Sequence, residues 1–281
     1  MDANLYNNDH SIVRFNLLTS LLAQLNKNDE NDTNFVIARY FLLNLTRIKN
    51  ISIYKIAEDC YVSRSSVQRF IKSIGYDSFT QMKASLEEVI AHENAFIDYT
   101  DHAYYREYIS DSINEMIEDI AKTTGGSDFK KLLNYFLKAE NVVILTAEDS
   151  SYACKLFQQQ VLTTGKLIRI ITSASKNISL LETLKKDDLL LVCSVTGNFA
   201  LAIDKQLDQI KARKCLITMN RTATFEKAYS FIYYLSNDIR ISSRNIIAAR
   251  NVYNNYGLNF FFDIFYHECY VAYSDKNKTP A

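Results

Sequence analysis

The chain has 281 residues, 48% of them hydrophobic, and its 32 basic and 32 acidic side chains cancel at pH 7. That length accommodates two domains of ~100–200 residues with a real apolar core. Zero net charge excludes a global pull toward nucleic acid or anionic membrane, so any such attraction has to be local.

The start, MDANLYNNDH, is polar and acidic, and no segment approaches ~18 consecutive apolar residues. The expectation is a soluble cytoplasmic protein with no signal peptide and no membrane contact. The first 95 residues read as consecutive helices. Ile12, Phe15, Leu18, Leu22 and Leu25 recur at helical spacing, and after NKNDENDT a second helix carries Phe35, Ala38, Leu42, Leu45 and Ile48. Three short helical pieces follow, SIYKIAEDC, RSSVQRFIKSIG and SFTQMKASLEEVIA, with Ser52, Ser63 and Ser78 where N-caps belong.

A tyrosine-rich helical stretch then ends at Gly125-Gly126, so 96–125 reads as a helical linker. Beyond it, apolar runs alternate with helical segments: NVVILT (141–146), LIRIITS (167–173), DLLLVCSV (188–195), KCLITMN (214–220) and FIYYLSN (231–237). Runs that are apolar throughout predict a parallel sheet covered on both faces. Domain boundaries are therefore expected at 1–95, 96–125 and 126–281. The fold class is an all-helical domain followed by a doubly wound, five-stranded parallel α/β domain. The region 243–272 holds more aromatic residues than one small sheet needs, which favours a homodimer contact over an ordinary packing helix. The cysteines at 60, 154, 193, 215 and 269 form no CxxC pair and fit no ligand spacing with the four histidines. They read as buried reduced thiols, with no metal, cofactor or catalytic residue expected.

The segment 47–83 stands apart electrostatically. It has seven basic and three acidic residues, 7 − 3 = +4 within a neutral chain, and a local cation excess is the footprint of phosphate neutralisation. On a helical wheel starting at Arg64, Val67, Phe70, Ile71 and Ile74 fall within about 100° of arc. Ser65, Gln68, Arg69 and Lys72 lie opposite, Arg64 and Ser66 flank them, and no carboxylate shares that face. Arginine and glutamine can read guanine and adenine edges. Together with the capping Ser63 these residues form a candidate DNA-reading surface, on the second helix of a helix–turn–helix in which Ala57 lies at the crossing and Val62 in the turn.

The segment 34–90 resembles the N-terminal domain of the RpiR family of bacterial transcription regulators. The resemblance rests on Val62-Ser63, Val67-Gln68-Arg69-Phe70 and Gly75-Tyr76, continued by YDSFTQMKASL. Where that family usually has glycine in the turn, this chain has Tyr61; a left-handed tyrosine there costs about 1–2 kcal/mol. The alternation beyond 126 resembles a SIS (sugar isomerase) domain, the usual effector module of such regulators. The resemblance implies a double-stranded DNA operator, a sugar-phosphate or amino-sugar effector, and a homodimer or dimer of dimers.

It also implies two ligand loops at the carboxyl ends of strands. In CSVTGNF these are Ser194, Thr196, Gly197 and Asn198, with Phe199 replacing the family's last hydroxyl; a helix cap for 198–212 is the alternative reading. In TAEDSS only Ser150 and Ser151 remain, with Glu148 and Asp149 in place of glycines. A carboxylate about 4 Å from a phosphate costs roughly 4 kcal/mol at an effective dielectric of 20, about three decades of affinity. Three functions follow: a metabolite-sensing DNA-binding regulator, a regulator whose SIS-like domain has lost its ligand, and a sugar-phosphate isomerase with an added helical domain.

Overall fold

The computed structural model describes residues 17–86, 89–90, 94, 97, 100–101, 103–172, 178–237 and 251–278. Ile12 and Phe15 of the first expected helix, and residues 243–250 of the terminal region, lie outside them. The chain divides into two compact units, 1–97 and 98–281.

In the first unit, α1 (Leu17–Lys27) and α2 (Thr33–Leu43) precede three short helices, α3 (Ile53–Asp59), α4 (Arg64–Ser73) and α5 (Phe79–Ala84). Asp32 caps α2 by accepting from the Asn34 amide at 2.6 Å. The second helix stops at Leu43, short of the expected Ile48. Asn44 turns its side-chain amide back onto the Tyr40 carbonyl at 2.8 Å, and Ile48 sits on a separate turn of 3₁₀ helix. Ser52, Ser63 and Ser78 each cap a helix, accepting from Lys55, Ser66 and Gln81 amides at 3.2, 3.0 and 3.2 Å. A serine hydroxyl there replaces the hydrogen bond that a first-turn amide lacks. The wheel's inward residues, Val67, Phe70, Ile71 and Ile74, are all buried, and Phe70 stacks on Phe41 with ring centroids 5.9 Å apart.

In the second unit, α6 (Tyr105–Thr124) and α7 (Ser127–Lys138) lead into β1 (Val142–Thr146) and α8 (Ser151–Val161). Then follow β2 (Ile168–Thr172), β3 (Leu189–Cys193), α9 (Asn198–Ala202), α10 (Asp204–Leu207), β4 (Arg213–Thr218), α11 (Phe225–Ala228), β5 (Phe231–Tyr234) and α12 (Leu258–Lys278). The segment expected as a linker thus contributes α6 to this unit, with Met116 and Ile120 in its core. The strands pair in parallel in the order β2-β1-β3-β4-β5, which is the expected five-stranded parallel sheet flanked by helices. Every residue of β1 and β3 is buried, as central strands covered on both faces require.

Buried Asp188 ties the amino ends of β1 and β3. It accepts from the Asn141 backbone and side-chain amides at 3.1 and 2.8 Å and from the Lys185 amide at 2.7 Å. Burial alone would raise its pKa, and these hydrogen bonds hold it below the usual carboxylate range.

The helix expected over 198–212 is two short pieces, broken at β-branched Ile203, whose φ of −102° and ψ of 4° leave the helical region. The aromatic residues of the terminal region mostly fill the unit's own core. Phe262 stacks on Phe157 at 4.6 Å, and Phe265 packs edge-on against Phe129 and Phe136 at 5.5 and 5.3 Å. Tyr256, Tyr270, Val271 and Tyr273 remain exposed. All five cysteines are buried and free. Burial pushes the thiols of Cys60, Cys215 and Cys269 up, to about 11, 12 and 12, which disfavours their thiolates.

Candidate functional site

The geometry of the α3–α4 pair begins with how α3 ends. The Val62 amide donates to the Ala57 carbonyl at 2.9 Å and the Tyr61 amide to Glu58 at 3.1 Å. These are the two bonds of a Schellman cap, which needs a left-handed residue between them. That residue is Tyr61, at φ +53°. Helix α4 ends in the same motif: Tyr76 donates to Ile71, Gly75 donates to Lys72, and Gly75 supplies φ +92°. One domain therefore contains two identical caps, one closed by glycine and the other by tyrosine.

The first cap sets the direction in which α4 leaves. Ser63, Arg64, Ser65, Gln68, Arg69 and Lys72 are all exposed along it, with Ser66 half-buried. Ser63 Oγ lies 2.7 Å from Ser65 Oγ and 2.9 Å from Ser66 Oγ, and Arg69 donates to Ser66 Oγ at 3.3 Å. Three hydroxyls thus cluster at the amino end of a helix, where backbone N–H groups and the macrodipole already favour an anion. Two arginines and a lysine continue the row.

Two other cations of this segment, Lys55 and Lys83, have different work. Lys55 is held by Glu58 at 3.1 Å and Asp59 at 2.8 Å. Those hydrogen bonds keep Lys55 well above its ordinary pKa, while those from Lys55 and Tyr40 keep Asp59 below the usual carboxylate range. Lys83 donates to the Lys49 and Ile51 carbonyls at 2.9 and 2.7 Å, closing the turn before α3. The local excess of +4 is therefore concentrated on α4 more than the count alone conveys.

Sequence reasoning missed one contact on this face. Arg64 lies over the ring of Tyr54, 5.0 Å from its centroid, and also donates to its hydroxyl. Tyr54 is 66% exposed, so its ring holds the arginine rather than the core. A cation–π pair at an exposed site is worth about 0.5–1 kcal/mol. Tyr54→Ala is therefore expected to lower the melting temperature by only a few degrees and to weaken duplex binding about twofold to fivefold in a fluorescence-anisotropy titration.

The second unit brings the other predicted residues to one end of its sheet. Thr146 is registered against Cys193 and donates to its carbonyl at 3.0 Å. The loops 147–150 and 194–197 thus leave adjacent strand ends where the strand order reverses, the place open α/β sheets offer to ligands. In the second loop Ser194 Oγ accepts from the Ala200 amide at 3.3 Å and Thr196 Oγ1 from Asn198 at 3.4 Å, so both hydroxyl oxygens cap α9. Asn198 is exposed, and Phe199 is buried in the core instead of replacing a hydroxyl. Gly197 has φ +80°.

In the first loop Ser150 and Ser151 are buried; the Ser150 amide donates to Asp149 Oδ1 at 3.0 Å and the Ser151 amide to the Glu148 carbonyl at 3.2 Å. Glu148 Oε2 is buried and accepts no hydrogen bond from the described residues. Asn220 was also missed. Its side chain donates to the Thr196 carbonyl and accepts from the Thr222 amide, both at 3.0 Å. Nothing in the sequence pairs a residue after β4 with the loop after β3.

Among the described residues, no helix is long and apolar enough to cross a membrane. Residues 15–93 match the helix-turn-helix domain of the rpiR family. An uncharacterized HTH-type transcriptional regulator of Escherichia coli strain K12, YfhH, is 22% identical over 228 residues, 76% of this chain and 80% of that protein. The Vibrio vulnificus NanR protein complexed with ManNAc-6P is similar at a TM-score of 0.47 and 16% identity, covering 92% of this chain and 95% of that one. The sugar isomerase domain of an RpiR transcription factor from Sphaerobacter thermophilus gives 0.39 and 12%, with 59% and 96% covered. The Schellman-capped α3–α4 pair, with its carboxylate-free outer face, lies wholly inside residues 15–93, the span that matches the helix-turn-helix domain of the rpiR family.

Proposed function

We propose that this protein is a sequence-specific, DNA-binding transcriptional regulator and not an enzyme. The observation that carries the reading is the outer face of α4, where Arg64, Gln68, Arg69 and Lys72 stand exposed beside the Ser63, Ser65 and Ser66 hydroxyls. The E. coli relative, named as an HTH-type transcriptional regulator, supports it. In this reading residues 1–95 bind a double-stranded operator, and 126–281, together with α6 of the 96–125 segment, form a sensing and dimerising domain. Exposed Tyr256, Tyr270, Val271 and Tyr273 support a homodimer, and the protein acts in the cytoplasm.

The test is direct. Arg69→Ala is expected to weaken binding to a selected duplex by about 1–3 kcal/mol and to relax base preference at one position. Lys72→Ala should instead weaken all duplexes alike and lower the salt slope by about 1. Unchanged binding by both variants refutes the reading.

The effector of the second unit is proposed to be a sugar-related metabolite, phosphorylated or amino-bearing, held by loops 147–151 and 194–198. Such sensing requires the ligand to bind two conformations with different affinity. The capping hydroxyls, and a Glu148 Oε2 that accepts no hydrogen bond from the described residues, favour a second reading, in which the domain takes no ligand and works through dimerisation or a protein partner. Thermal-shift titration of the full chain with phosphosugars and amino sugars separates the two: a rise in melting temperature supports sensing, and none with any of them supports the ligand-free domain.

A further inference from the structure

Tyr61 combines two properties that fold stability does not explain. It is a non-glycine residue at φ +53°, closing on α3 the same cap that Gly75 closes without strain at the end of α4. It is also 97% exposed, so its ring gains nothing from packing that would offset the cost of the left-handed conformation. Strain of that kind persists where the surroundings over-determine it, and it collects at functional sites. Its surroundings here are the amino end of α4: Ser63 is two residues on, Arg64 three, and the three-hydroxyl cluster follows.

We propose that Tyr61 is a DNA-contacting residue whose phenolic hydroxyl donates to a phosphodiester oxygen flanking the groove that α4 enters. The inference rests on the DNA-binding reading of α4. A tyrosine is suited to that contact, since its hydroxyl donates to phosphate while its rigid ring loses little conformational freedom. The contact is neutral, so it fixes register without releasing a counterion. It adds to affinity without adding to the salt slope.

The experiment uses the full-length protein and a duplex that it enriches from a randomised pool, with Tyr61→Gly, Tyr61→Phe and Arg69→Ala compared. Tyr61→Gly is expected to melt at a higher temperature than wild type and yet to bind about threefold to tenfold more weakly, the worth of one hydrogen bond to phosphate. Tyr61→Phe should share the loss of affinity, and the salt slope of both should match wild type. Opposite signs in stability and binding are something a purely structural role does not produce. Binding by Tyr61→Gly and Tyr61→Phe within twofold of wild type, with Arg69→Ala weakened, overturns the proposal and leaves the α4 reading standing. Loss in Tyr61→Gly alone overturns the hydroxyl contact. A wild-type protein that enriches no duplex overturns both.

Discussion

Phe70→Ala is expected to remove about 3–5 kcal/mol from the first unit, the usual cost of truncating a fully buried phenylalanine. Phe70 is buried, and its ring stacks on Phe41 at 5.9 Å with an interplanar angle of 19°. That ring pair joins α4 to α2, so the cavity would open between α4 and the helix that supports it. A small domain has only about 5–15 kcal/mol in total. The melting temperature of this unit should fall by roughly 15 °C or more, and duplex binding should fall with it. Hydrogen exchange checks the location: protection should be lost from peptides within 33–86 and retained in the strands of the parallel sheet. Equal loss in both would refute the assignment of Phe70 to a core of its own unit. The neighbouring substitution, Arg69→Ala, should do the reverse, weakening binding with the fold intact. Adjacent residues on opposite faces of α4 thus separate stability from recognition.

The buried face of α4 was legible in the sequence because a helix imposes a 3.6-residue period on burial. Val67, Phe70, Ile71 and Ile74 follow it, and their burial needs no knowledge of the partner helix. The serine caps were legible for a similar reason, since a hydroxyl and the amide it satisfies lie within three residues of each other. The strands were legible as apolar runs. The strands came out one to three residues shorter than the runs, as with 188–195 against Leu189–Cys193, because buried residues continue into the loops at the strand ends. What was not legible involves partners distant in sequence. The Arg64–Tyr54 stack, the Lys83 contacts to the turn at 49–51, and the Asn220 contact to Thr196 each join residues that no local pattern relates. The partners of the terminal region's aromatic residues were hidden for the same reason: Phe261, Phe262 and Phe265 answer to Phe129, Phe136 and Phe157, more than a hundred residues earlier.

Gly197→Ala should be among the most damaging single-atom changes in the second unit, and Gly165→Ala provides its measure. Both glycines have positive φ, +73° for Gly165 and +80° for Gly197. A Cβ at Gly165 meets nothing within 4 Å, so alanine there costs the left-handed conformation alone, about 1–2 kcal/mol. A Cβ at Gly197 would lie 2.6 Å from Asn220 Cβ and 2.8 Å from its Nδ2. Asn220 cannot retreat without giving up its bonds to the Thr196 carbonyl and the Thr222 amide, each worth about 0.5–1.5 kcal/mol. Gly197→Ala is therefore expected to cost about 2–5 kcal/mol, and the excess over Gly165→Ala reports the Asn220 latch in a denaturant titration. Equal costs at the two glycines would mean that the loop after β3 moves freely. An excess of 1 kcal/mol or more would mean that it is held rigid from β4, so that a ligand arriving at the strand ends meets a loop already shaped and any conformational response must come from the loop carrying Glu148.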